Sequence, residues 1–148
     1  MKKIYFLGLA LLALPALSSA QSFTNSNSML PDNYHSGGTV GIIDMDNDGF
    51  DDIVTLDDAN HLKVLYQVGG GLTEVDYGVI SGANQWGFAI GECDNDGQCD
   101  VFSGGSYEGV HLIKISEVGV STQESLNNGS MLMQACNLAD IDNDGRLD

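Results

Sequence analysis

A nine-residue acidic segment occurs three times in this chain, each time without a gap. Residues 44–52 read Asp-Met-Asp-Asn-Asp-Gly-Phe-Asp-Asp, residues 92–100 Glu-Cys-Asp-Asn-Asp-Gly-Gln-Cys-Asp, and residues 140–148 Asp-Ile-Asp-Asn-Asp-Gly-Arg-Leu-Asp. The interval is 48 residues both times. A fixed period of that size marks a unit that cannot bury its own apolar face and must stack on its neighbours. The third unit reaches only the ninth position of its loop, and the strand expected after it would come from a longer chain or from association.

The flanks recur in phase with the loops. A short apolar stretch precedes each one, at residues 40–43, 88–91 and 136–139. β-prone runs follow the first two loops, at 53–56 and 101–103, then at 62–68 and 110–115. The latter pair alternates apolar and polar residues, as a half-buried strand does. Glycine turns at Gly69-Gly70-Gly71 and Val118-Gly119 lead to a fourth run near 72–80 and again near 120–126. One unit therefore reads strand, acidic loop, strand, turn, strand, turn, strand. No segment after the first twenty residues carries a sustained helical period. The pattern predicts an all-β fold of four-stranded antiparallel sheets on a 48-residue repeat, the size of a β-propeller blade. A propeller closes with about 4–8 blades, so this chain holds an incomplete one. The remaining blades are expected from a longer chain or from self-association. The alternative is a self-sufficient three-sheet solenoid.

Residues 1–20 stand apart from the repeats. Lys2 and Lys3 make a basic start, an apolar run broken by Pro15 follows, and Ser18-Ser19-Ala20 offers a signal peptidase site. We read 1–20 as a signal peptide and 21–148 as the repeat region. The protein is then secreted, extracellular or at the cell surface. No cysteine ends the apolar run to take a lipid, and no membrane span is expected after cleavage. Losing Lys2 and Lys3 leaves three basic against 21 acidic side chains, a formal charge of −18. Such a surface repels phosphates, which excludes nucleic acid as a partner.

The spacing of the acids has a specific chemistry. Carboxylates at alternate positions of a tight loop turn inward together, and Ca2+ takes about 6–8 oxygen ligands. The expected ligands are Asp44, Asp46, Asp48, the carbonyl of Phe50 and Asp52 in the first loop. The second uses Glu92, Asp94, Asp96, the carbonyl of Gln98 and Asp100; the third uses Asp140, Asp142, Asp144, the carbonyl of Arg146 and Asp148. Gly49, Gly97 and Gly145 permit the sharp turn. Magnesium prefers fewer protein ligands, and transition metals call for His or Cys, absent from these positions. An EF-hand would need an acid at the twelfth position and a helix after it. Thr55 and Ser103 stand there, and β-prone residues follow.

This pattern, with Ile53-Val54 after the first loop, then Leu62 to Tyr66 and the Gly69 to Leu72 turn, resembles the FG-GAP/VCBS-type repeat of integrin α-subunit-like propellers. The resemblance runs from Gly38 to Asp148 and implies a Ca2+-stabilised propeller on a secreted or surface protein of adhesion or recognition. Glu92 departs from the family's aspartate, and the Phe-Gly and Gly-Ala-Pro signatures are not evident.

Cys93 and Cys99 occupy positions two and eight of the second loop, either as a disulfide bracing it or as two neighbouring thiols. Cys136 is expected to pack as a small apolar residue. His35, His61 and His111 share no repeat phase and are expected on loops or strand surfaces. Tyr66, Tyr77, Tyr107 and Trp86 are expected to pack between blades, the alternative being that they line a sugar-binding surface. The reading that follows is a calcium-binding repeat module for adhesion or extracellular recognition, with an extracellular protein or glycan as ligand and no catalysis. The alternative is the propeller or accessory domain of a larger extracellular polysaccharide-degrading enzyme.

Overall fold

The computed structural model describes residues 24–57, 59–127 and 130–148. The expected signal peptide lies outside the described residues. One 3-10 turn at Asn27–Met29 precedes eight strands: β1 (Val40–Ile43), β2 (Asp52–Leu56), β3 (His61–Val68), β4 (Gly71–Val79), β5 (Gln85–Gly91), β6 (Asp100–Gly105), β7 (Val110–Glu117) and β8 (Val120–Asn127). The chain is all-β. It forms two four-stranded antiparallel sheets, ordered β1-β2-β3-β4 and β5-β6-β7-β8. Among the described residues no helix is long and apolar enough to cross a membrane.

Local chemistry sets these elements. Val, Ile, Leu and Tyr dominate β2 and β3, whose alternate side chains divide between two faces. Gly69 and Gly70 both take positive φ, 61° and 83°, which gives the two-residue turn joining β3 to β4 the twist of the strands it links. Between β2 and β3 the Asp57 carboxylate accepts the amides of Ala59 (3.0 Å) and His61 (3.1 Å), an Asx-type closure of the turn. Residues 136–139 were expected to form a strand and are not one. Only the pair Ala139 and Asp148 is joined, with the Asp148 amide donating to the Ala139 carbonyl at 2.9 Å.

The core lies between the two sheets. Met45, Val54, Leu56, Leu62, Val64, Tyr66 and Ile80 meet Val101, Ile113 and Ile115, with Phe88, Ile90 and Cys99 packed against them. Each fully buried aliphatic side chain contributes about 1.5–3 kcal/mol, so this seam holds the sheets together. The sheets approach closely where β1 passes β5. A Cβ on Gly41 would overlap the end of the Ile90 side chain, so the glycine lets the two strands approach without displacing it. Hydrogen bonds finish the joint. Gly119 N–H donates to Tyr77 Oη at 3.1 Å, Gln123 Nε2 to the Ile80 carbonyl at 2.7 Å, and Cys99 N–H to the Met45 carbonyl at 3.3 Å.

On the far face of the second sheet, glycines again make room. The space at Gly87 and Gly104 is filled by Met133, and that at Gly91 by Leu138 and Leu147. Residues 133–147 thus lie against β5 and β6 much as β5 lies against β1.

Two side chains are placed differently from expectation. His111 is buried rather than at a strand surface. It sits on the face of β7 shared with Ile113 and Ile115, and Gln123 and Ser125 contact its Nδ1 at 3.1 and 3.3 Å. Tyr66 and Tyr77 pack as expected, their hydroxyls 2.6 Å apart, but Trp86 and Tyr107 are exposed.

Position two of the loops provides a test of the seam. Met45 is fully buried there, whereas Ile141, at the same position of the third loop, is 78% exposed. Met45→Ala is expected to cost about 2–5 kcal/mol, and Ile141→Ala less than about 0.5 kcal/mol, measured by urea unfolding. Equal losses at the two positions would contradict the placement of Met45 between the sheets.

Candidate metal centre

The first two acidic loops join β1 to β2 and β5 to β6, whereas the third lies next to no strand among the described residues. The residues before and at the ninth position pair across each loop: Ile43 with Asp52, Gly91 with Asp100 and Ala139 with Asp148. The eight residues between are therefore pulled into a closed turn. The fourth residue of each loop is left-handed, with φ of 62° at Asn47, 64° at Asn95 and 61° at Asn143. The sixth is a glycine with φ of 91°, 90° and 88°. Asparagine tolerates the left-handed region better than most side chains. The asparagine shared by the fourth position of all three loops is thus a backbone signal visible in the sequence.

These turns bring carboxylate oxygens together. One oxygen from each of Asp44, Asp46 and Asp48 lies within 4.8 Å of the others, and the same holds for Glu92, Asp94 and Asp96, and for Asp140, Asp142 and Asp148. Each of these clusters could hold a metal ion. Loop amides hold the acids in place. In the first loop Asp44 accepts from the amides of Asp48 (3.1 Å) and Gly49 (2.9 Å), and Asp48 accepts from Phe50 (2.8 Å). The third loop repeats this, with Asp140 accepting from Asp144 (3.1 Å) and Gly145 (2.9 Å), and Asp144 from Arg146 (2.9 Å). The amides of Phe50 and Arg146 are thereby fixed, as is that of Gln98, which donates to Asp96 at 2.8 Å.

The second loop is built differently, and the cause is one methylene. Glu92 is longer than Asp, and its Oε1 accepts from Asp94 (2.9 Å) and Asn95 (2.5 Å), two residues earlier than its counterparts reach. Lys114 Nζ also lies 3.9 Å from Asp94 Oδ2, a cation already near this cluster.

The ninth-position acids do a separate job in the first two loops. Asp52 is buried. Its Oδ2 accepts the Met45 amide (2.9 Å) and its Oδ1 the Gln67 amide (2.8 Å). Asp100 is buried in the same way, accepting from Cys93 (3.2 Å) and Ile115 (3.0 Å). Each carboxylate ties a loop to the second strand and the third. In the third loop Asp148 accepts the Ile141 amide (3.0 Å) and joins Asp140 and Asp142 in the cluster, which leaves Asp144 outside that group.

Electrostatics follow from this crowding. Burial raises the Asp46 carboxyl above its ordinary value, and the charges of Asp48 and Asp52 raise it further. Burial likewise raises Asp100, opposed by the two amides it accepts. Anionic oxygens so confined favour a proton or a cation between them. Cys93 and Cys99 are free thiols in the structure, their Sγ atoms turned to different carbonyls, those of Gly91 (3.4 Å) and Asp44 (3.6 Å). Burial, with Asp100 next, pushes the Cys93 thiol up to about 11 and raises Cys99 as well, so both thiols stay protonated at neutral pH. Cys136 is a half-buried thiol against β6.

No family model, curated protein or solved structure matches this chain.

The two kinds of acid separate by mutation. Asp52→Ala leaves two amides unpaired beneath a closed loop. It is expected to cost roughly 2–5 kcal/mol in urea unfolding with chelator present. Asp48→Ala, at an exposed position, is expected to cost less than about 1 kcal/mol under the same conditions. The reverse order would contradict the structural role of Asp52.

Proposed function

We propose that this chain is a secreted calcium-binding module for adhesion or extracellular recognition, in which calcium is structural and the protein performs no catalysis. The observation that carries the reading is the convergence of three acidic side chains in each of three loops, within 4.8 Å in every case. Only oxygen donors converge there. An all-oxygen site with many carboxylates suits a hard cation that accepts irregular geometry, and Ca2+ does so better than Mg2+. The carbonyls of Phe50, Gln98 and Arg146 would complete the shells of their loops. In the first and second loops Asp52 and Asp100 would act from behind the ion, holding the turn in shape.

The sheets are blades of a propeller in this proposal. Support comes from the recurrence of one strand order and from the glycine-lined approach of β1 to β5, echoed where residues 133–147 meet β5. The exposed Ile42 and Ile141 would face further blades, from a longer chain or a second copy. Secretion rests on the signal-like residues 1–20. The resemblance to FG-GAP/VCBS-type repeats accounts for the same three features together.

A structural ion binds the folded state and not the unfolded one, so it raises the melting temperature by mass action. The protein is expected to melt at least about 5 °C higher in millimolar calcium than in chelator. Asp46→Ala is expected to remove part of that increment while leaving the melting temperature in chelator nearly unchanged. Superimposable melting curves with and without calcium would refute the metal reading.

A further inference from the structure

From a cavity lined by none of the acidic-loop residues, we infer that the protein carries a binding site for a neutral sugar, the pyranose end of a glycan, stacked on Trp86. The inference rests on the recognition reading above and specifies its ligand. The cavity, about 350 Å³, opens between the segment before β1, the β2–β3 turn and the start of β5. That volume is within the range of small-ligand sites, at its lower end.

Trp86 forms one wall, and the backbone sets its orientation. Gln85 pairs with Gly105 and Gly87 with Gly104, so Trp86 is the extra residue of a β-bulge. Bulges re-aim a side chain that regular alternation would place elsewhere. Gly105 makes the bulge feasible, since a Cβ there would collide with the Asn84 backbone. Trp86 is left 46% exposed, while its neighbour Gln85 is buried and fixed by Ser103 Oγ (3.1 Å) and by its own bond to the Ala83 carbonyl (2.9 Å).

The opposite side of the cavity is polar and already ordered. Asn60, left-handed at φ 58°, donates its amide to Asp57 (2.8 Å), accepts the Ile80 amide (3.0 Å) and gives its Nδ2 to the Ser81 carbonyl (3.2 Å). Its Oδ1 is available as an acceptor. Asn84 is exposed, and its carboxamide has no partner among the described residues. His35 is also exposed at the rim, with Gly37 and Gly38 beside it, where a Cβ would meet nothing within 4 Å.

The lining discriminates between ligand classes. Among the described residues no Lys or Arg lines the cavity, so a phosphate or carboxylate finds no cation there. The one acid among those described lining residues, Asp57, has its charge engaged by Lys63 at 3.5 Å and its Oδ1 by two amides, so it offers a cationic ligand no free anion. A wholly apolar ligand would strip water from Asn60 and Asn84 without replacing it, which is costly. A pyranose suits all of these features. Its C–H face lies on an indole, and its hydroxyls both donate to and accept from carboxamides. Because the walls are hydrogen-bonded beforehand, little ordering opposes binding.

Trp86 is the only tryptophan in the chain, so its fluorescence reports this site alone. The full chain in calcium would be titrated with methyl glycosides of the neutral hexoses, following emission and, in parallel, heat. At least one glycoside is expected to shift the emission saturably. By calorimetry Trp86→Ala and Asn84→Ala are each expected to weaken that glycoside by about tenfold or more, with Trp86→Phe retaining most of the affinity. The calcium-induced rise in melting temperature serves as the folding control for every variant. No saturable response to any glycoside, with the calcium effect intact, would overturn the sugar site and leave the recognition reading standing. Sugar binding unaltered by Trp86→Ala and Asn84→Ala would also overturn it. Loss of the calcium effect in the unmutated chain would instead fault the reading beneath.

Discussion

A buried carboxylate at the base of each sheet is the constraint on which the rest of the structure depends. Asp52 and Asp100 each accept two backbone amides, one from the acidic loop and one from the third strand of their sheet. A buried acid is costly unless hydrogen-bonded, and here the bonds are spent on tying three chain segments together. With the loop held from behind, its front acids must face one another. The same clamp fixes Met45, whose amide it holds, so that the Met45 side chain enters the seam between sheets. In the first unit the acidic cluster and the core are thereby coupled through a single residue.

Much of this was legible in the sequence, for a physical reason. A 48-residue period with in-phase apolar runs leaves few ways to bury the apolar faces, and all eight strands lie where the β-prone runs stand. The acidic loops were legible too, because alternate carboxylates before a glycine have little other use. What was not legible depends on the third dimension. Nothing in the spacing separates Asp52 from Asp48, since their difference lies in burial and in amides supplied by residues 15 positions away. The roles of Met45 and His111 likewise depend on the neighbouring sheet. Trp86 is turned outward by a bulge that only pairing with β6 reveals. The left-handed asparagines, by contrast, could have been found, since an invariant fourth residue in three loops is itself a conformational statement.

The three loops are not equivalent, and the differences trace to single side chains. The first and third share one hydrogen-bond pattern, so a cation would meet the same arrangement of first-position oxygens in each. In the second, the longer Glu92 pins different amides and Lys114 stands near Asp94. A positive neighbour and a displaced ligand both weaken the attraction for a second cation. The loops are thus backed differently: the first and second by a complete sheet, the third by the Ala139–Asp148 backbone pair, and the second carries Glu92 where the others have aspartate.

The most direct test is a calorimetric titration of the metal-stripped chain with calcium, run beside Glu92→Asp. The account predicts saturable binding at more than one site per chain, with Glu92→Asp tightening one of them and leaving the others unchanged. An absence of saturable binding in both proteins would contradict it, because the convergence of carboxylates would then have no cation to serve.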